Sequence, residues 1–140
     1  MTRTPDLETL YRNTTFRVEA PNGHLDIRIG DKHPRIDSVL SEHNATEWAY
    51  ITAWNPGSRP TSTEQNALAQ EKLIKIVQDR GFRFYLGDGI PDQEGWAPER
   101  SVWIAGISRE EAVEIGRQFG QNAIVVGNLG SVAELLDCDE

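Results

Sequence analysis

The polar residues of this chain that could do chemistry gather in two places. Between Gly87 and Arg100 stand four carboxylates, Asp88, Asp92, Glu94 and Glu99, with Trp96 among them. Carboxylates at that density can hold a divalent ion weakly or serve acid–base steps. Glu99 is the one that Trp96 and Pro98 would desolvate, which would push its carboxyl upward. The second group is Trp54-Asn55-Pro56 with Asn66, an indole and two amides suited to orienting a ligand above a rigid scaffold. Trp54, Asn55, Asn66, Trp96 and Glu99 are therefore the candidate binding residues, and Glu99 or Asp88 is the candidate acid or base should the chain be an enzyme. The plain alternatives are structural: Asn55 as a cap or Asx turn before proline, Gln121-Asn122 satisfying buried backbone, and the acidic loop as a solvated surface.

Other chemistries find no support in the residue pattern. No nucleophile stands with a base, and His24, His33 and His43 lack the i, i+4 spacing of a helical ligand pair, so neither metal nor cofactor is expected. Gly87-Asp88-Gly89 has no third glycine, lysine or helix start and reads as a turn, not a phosphate loop. The 140 residues carry 22 acidic against 14 basic side chains, a formal charge of −8. That balance opposes phosphate backbones and anionic membrane surfaces, so nucleic acid is a disfavoured partner. One cysteine, Cys138, excludes an intrachain disulfide. The first residues lack the apolar core of a signal peptide, and no apolar run reaches membrane-spanning length, which suggests a cytoplasmic protein. With no catalytic constellation in view, a noncatalytic binding module for a protein or small polar ligand is favoured over a small enzyme using Glu99 or Asp88.

The elements that must position these groups follow from periodicity. Phe16–Ala20 and Leu25–Ile29 alternate as two strands, with Asn22-Gly23 supplying a tight I′ turn. A short helix runs from Pro34 to His43 with Ile36, Val39 and Leu40 on one face. Trp48–Trp54 is a strand stopped by Asn55-Pro56-Gly57. Ser62-Thr-Glu-Gln65 caps the main helix, which carries Ala69, Leu73, Ile76 and Val77 and ends at Gly81. Strands Phe82–Leu86 and Val102–Ala105 flank the acidic loop. Ser108-Arg-Glu-Glu111 caps a second helix with Ala112, Ile115, Gly116 and Phe119 on one face. Ala123–Val126 is the last strand, and Val132–Leu136 suggests a helical turn in an acidic tail.

From Trp48 the order is β-α-β-β-α-β, which predicts an α+β fold: one domain with a ferredoxin-like core over 46–128, a hairpin and short helix over 1–45, and a tail over 129–140. Ala49, Ile51 and Ala53 would lie under the helices, and Gly116 would allow close helix packing. Trp48, Tyr50, Trp54, Tyr85 and Trp103 would form an aromatic platform on the opposite face. Covering by the N-terminal segment is a better account of that platform than base stacking in an RNA-binding sheet. Parallel first and last core strands would set Asn55 and Gln121 at opposite ends, leaving Asn66 as the nearer neighbour of Asn55.

Ile51-Thr-Ala-Trp-Asn-Pro56, Ser58, Asn66, Trp96, Glu99, Gly106-Ile107 and Phe119-Gly-Gln-Asn-Ala-Ile124 resemble a bacterial family known as domain of unknown function 3293. The resemblance spans most of the chain, and is looser over the first forty residues. It implies an intracellular bacterial protein of one domain and implies no activity.

Overall fold

In the computed structural model, residues 5–138 are described, apart from 93, 94 and 96. The elements are α1 (Pro5–Arg12), β1 (Thr14–Ala20), β2 (Gly23–Ile27), α2 (Pro34–Glu42), β3 (Glu47–Thr52), α3 (Thr63–Asp79), β4 (Arg83–Pro91), β5 (Glu99–Ala105), α4 (Arg109–Gln118), β6 (Ala123–Asn128) and β7 (Glu134–Asp137). The fold is α+β. Its seven strands form one sheet in the order β2-β1-β4-β5-β3-β6-β7, and each neighbouring pair is antiparallel. The sheet is curled. Ile29, just after β2 at one edge, bridges Ala133, just before β7 at the other, and Gly30 N donates to Ala133 O at 2.8 Å.

Curling gives the sheet two apolar faces with different covers. On the outer face Leu73 and Val77 of α3 and Ala112 and Ile115 of α4 pack on Ala49, Ile51 and Ile104. The caps that start these helices are formed: Ser62 Oγ accepts from Gln65 N and Ser108 Oγ from Glu111 N, each at 3.1 Å. Gly81, at φ +80°, closes α3, with Gly81 N donating to Gln78 O and Phe82 N to Val77 O. On the inner face Trp48, Tyr50 and Trp103 lie against Phe16 and Val18 of β1, Ile27 of β2, and Ile36 and Leu40 of α2. Trp103 is fully buried and stacks on Tyr85 with centroids 6.0 Å apart. The N-terminal segment thus covers the platform, and bases cannot reach the rings of Trp48, Tyr50 and Trp103.

Four expectations are corrected. The hairpin turns at Pro21-Asn22, since Ala20 faces Gly23; proline's fixed negative φ rules out a I′ turn there, and Gly23 alone carries the positive φ. Gly87-Asp88-Gly89 is not a turn but the middle of β4, which runs on to Pro91 to pair with β1. Val132–Leu136 gives no helical turn; β7 pairs with the otherwise open edge of β6. Cys138, just beyond β7 in the acidic tail, is fully buried. Finally, β3 and β6 are adjacent and antiparallel, so the end of β3 lies at the start of β6 and Asn55 stands near Gln121.

Gly116 is where α4 meets the end of the chain. A Cβ there would fall 2.7 Å from Cys138 Sγ and 3.0 Å from Ile124 Cγ2. Gly116→Ala should therefore cost about 1–2 kcal/mol even after roughly 1 kcal/mol gained in helix propensity. Combining it with Cys138→Ala should recover part of the loss in denaturant titrations. Strictly additive effects would show that the two positions do not press on each other.

Candidate functional site

Where β3 ends, the inner face opens into a cavity of about 220 Å³. Its floor is Tyr50 and Ser101, Phe16 of β1 and Tyr11 of α1 form one wall, and Trp54, Asn55, Glu99 and Gln121 form the rim. Gly89 also faces it. A Cβ at Gly89 would sit at ordinary contact distance, 3.8 Å from the Phe16 ring and 3.9 Å from Glu99 O and Thr14 Cγ2.

The rim is held by amides. Asn55 takes a left-handed backbone at φ +48°, a conformation asparagine tolerates better than most residues. Its N–H donates to Asn66 Oδ1 at 2.9 Å, and its Oδ1 accepts from Thr61 N and Asn66 Nδ2, both at 3.0 Å. Asn66 is buried and also donates to Thr61 O at 3.3 Å. This leaves Asn55 Nδ2 pointing outward from the amide pair, donating to Glu99 Oε2 at 2.9 Å. Gln121 Nε2 donates to Trp54 O at 3.0 Å and Phe119 O at 3.3 Å, and Gly57 N donates to Gly120 O at 2.7 Å. The two polar junctions of the sequence are therefore stitched together directly.

Glu99 is the chemically distinctive group. Burial raises its carboxyl above the ordinary value, and the hydrogen bond from Asn55 offsets part of that rise. Among the described residues no cation pairs with it. A raised folded-state value means the group's contribution to stability is full below the ordinary carboxylate range and is lost as pH rises through the raised value. Glu99→Gln should therefore gain on the native protein as pH rises from the ordinary carboxylate range through the raised value. Parallel stability profiles in chemical denaturation would show that Glu99 is not desolvated.

The hydroxyls on the floor are committed. Tyr50 OH donates to Arg17 O at 2.8 Å, Thr52 Oγ1 to Arg100 O at 2.6 Å and Ser101 Oγ to Glu99 O at 3.0 Å. Burial raises the Tyr50 phenol well above its usual value, so it stays a neutral hydroxyl. Tyr50 and Thr52 have each spent their one proton on a carbonyl, and the Tyr50 phenol also shares a hydrogen bond with Ser101.

Of the candidate residues, the structure brings Trp54, Asn55, Asn66 and Glu99 together; Trp96 and Glu94 lie outside the described residues. Asp88 does not join them. It alternates with Gly87 and Gly89 and so projects from the other face, 3.7 Å from Arg100. Asp92 is exposed and paired with Arg28 at 2.9 Å. Among the described residues no group of three His, Cys, Asp or Glu side chains is placed to hold a metal ion. Sequence reasoning missed the contribution of α1, whose signal was Pro5 at a first turn and the Glu8–Arg12 pair at i, i+4, observed at 3.1 Å. It also missed Tyr50 and Ser101 as cavity floor. A wider depression between α3 and α4 is open, and its polar lining residues Gln65, Lys72, Lys75, Asp79 and Gln118 are all exposed.

Among the described residues no helix is long and apolar enough to cross a membrane. A protein-family model described as "Protein of unknown function (DUF3293)" matches residues 51–124, just over half of the chain. The matched stretch runs from within β3 to the start of β6 and contains the whole amide rim. No curated protein and no solved structure matches the chain.

Proposed function

The chain belongs to the DUF3293 family of proteins of unknown function, and on that premise we propose that it is a noncatalytic binding module whose cavity takes a small polar ligand or a partner's side chain. The observation that carries this reading is Glu99: a desolvated carboxyl without a charge partner among the described residues, fixed by Asn55 on the rim of a preformed cavity. A group in that state loses free energy in the empty site and regains it when a ligand supplies donors. Trp54 and Asn55 would contact the ligand, Asn66 would hold Asn55, and Trp96 joins the reading through the family resemblance alone.

A fragment library screened by thermal shift tests this reading, since any ligand of the native state raises the melting temperature. Gly89→Val supplies the control, because its Cβ takes ordinary contact distances and its methyls narrow the cavity. Hits should stabilise the native protein and lose that effect in Gly89→Val. Hits that bind both proteins equally would place the site elsewhere.

A second reading, an enzyme with Glu99 as acid or base, draws on the same raised carboxyl, since burial brings it toward the working pH. Asp88, on the opposite face, has no part in it. Turnover that persists in Glu99→Gln would exclude this role.

We read β3-α3-β4-β5-α4-β6 as a ferredoxin-like core within one domain. The order β4-β5-β3-β6 and the packing of α3 and α4 on one face support that reading. A cytoplasmic bacterial setting accords with the resemblance and the single cysteine.

A further inference from the structure

We infer that the cavity selects an organic ammonium: a protonated amine whose charge sits against Glu99 and whose apolar body lies among the rings of Phe16, Tyr50 and Trp54. The inference rests on the cavity being a binding site and names the class of ligand it takes.

Tyr50 and Thr52 each give their proton to a backbone carbonyl, which can only accept, and Ser101 is engaged with Glu99 O and the Tyr50 phenol. What these hydroxyls turn toward a ligand is therefore lone pairs, although Thr52 Oγ1 also accepts from Trp54 N at 3.1 Å. Both Gln121 donor contacts go to carbonyls as well, which leaves its amide oxygen as an acceptor. Glu99 adds a carboxyl with one bond, from Asn55. No lysine, arginine or histidine stands among the described lining residues. An anion entering the cavity would meet acceptors and a carboxylate; an ammonium would meet up to three acceptors for its three protons.

The rings act in the same direction. Phe16 and Tyr50 meet edge to face with centroids 5.4 Å apart, and aromatic walls attract a cation through their quadrupoles, most strongly where water is excluded. The chain's formal charge of −8 draws cations toward it before contact. Burial makes the ionised carboxylate costly in the empty site, and a bound ammonium offsets that cost by pairing with it. Trp54 also lines the cavity, and its buried Nε1–H has no partner among the described residues. A ligand with an ether or hydroxyl oxygen beside its amine would satisfy that donor too.

Three probes of one shape and different charge test the inference on the full native chain: benzylamine, benzyl alcohol and benzoate, titrated calorimetrically at neutral pH. Benzylamine should bind roughly tenfold or more tightly than benzyl alcohol, with no heat from benzoate, as expected of a charge-assisted pair in a partly dry site. Glu99→Gln should abolish that preference, benzylamine then binding no more tightly than benzyl alcohol. Benzyl alcohol or benzoate binding as tightly as benzylamine would overturn the cationic selectivity and leave the cavity reading intact. Silence from all three at millimolar concentration would also overturn it, the cavity reading then being decided by the fragment screen against Gly89→Val.

Discussion

Gly87→Ala is expected to cost about 3 kcal/mol or more, the upper range for forcing extra atoms into a packed site, and to lower the thermal midpoint by roughly 10 °C or more. A Cβ at this position would fall 1.9 Å from Arg17 O and 2.8 Å from the Tyr50 hydroxyl. The first contact is with backbone, which cannot step aside without breaking the pairing of Val18 with Gly87 and Arg17 with Asp88. The second would push away the phenol that donates to the same carbonyl. Tyr50 belongs to β3 and reaches Arg17 on β1 across the inner face, a span that the curl of the sheet and the missing side chain at Gly87 make short enough. Gly89→Ala is the matched control two residues along the strand. Its Cβ would make only ordinary contacts at 3.8–3.9 Å, so its stability should stay near that of the native protein. Equal losses at the two positions in denaturant titrations would mean that general strand propensity, and not close approach, governs both.

The same glycines show where sequence reasoning stops. The helices were legible because their signals are local: Ser62 and Ser108 cap at the expected turns, and Leu73, Val77, Ala112 and Ile115 recur with the helical period on the faces that are buried. Covering of the aromatic face was legible too, since Trp48, Tyr50 and Trp103 alternate with Ala49, Ile51 and Ile104 and both sets need burial. Gly87-Asp88-Gly89 was not. Glycine serves a tight turn and a close backbone approach equally well, and only the long-range pairing of β4 with β1 decides between them. Likewise β7 exists because β6 offers an unpaired edge, which nothing in Glu134–Asp137 announces. The rim of the cavity was half legible. Trp54, Asn55, Asn66 and Glu99 stood out by type, while Tyr50 and Ser101 looked like ordinary strand residues until the curl faced them toward α1.

Asn66→Ala is expected to destabilise by about 2–4 kcal/mol, which would make this amide a support of the site and not a contact for the ligand. Asn66 is 3% exposed, and its bonds all go to the segment between β3 and α3. Truncation strands the Asn55 N–H, a loss of about 1–3 kcal/mol for a buried donor, removes one of the two donors to Asn55 Oδ1, and leaves a small void. Asn55 would then lose the orientation that presents Nδ2 to Glu99, so ligand affinity should fall together with stability. Asn66→Asp separates the parts. It keeps an acceptor for Asn55 N–H but replaces the Nδ2 donor with an oxygen facing Asn55 Oδ1 and Thr61 O, so it should be unstable at neutral pH. Protonation of the new carboxyl restores a donor, so acid should recover part of the loss relative to the native protein. Should both variants instead unfold like the native protein and lose only ligand affinity, Asn66 would be a recognition group after all, and the amide pair would belong to the cavity's chemistry and not to its frame.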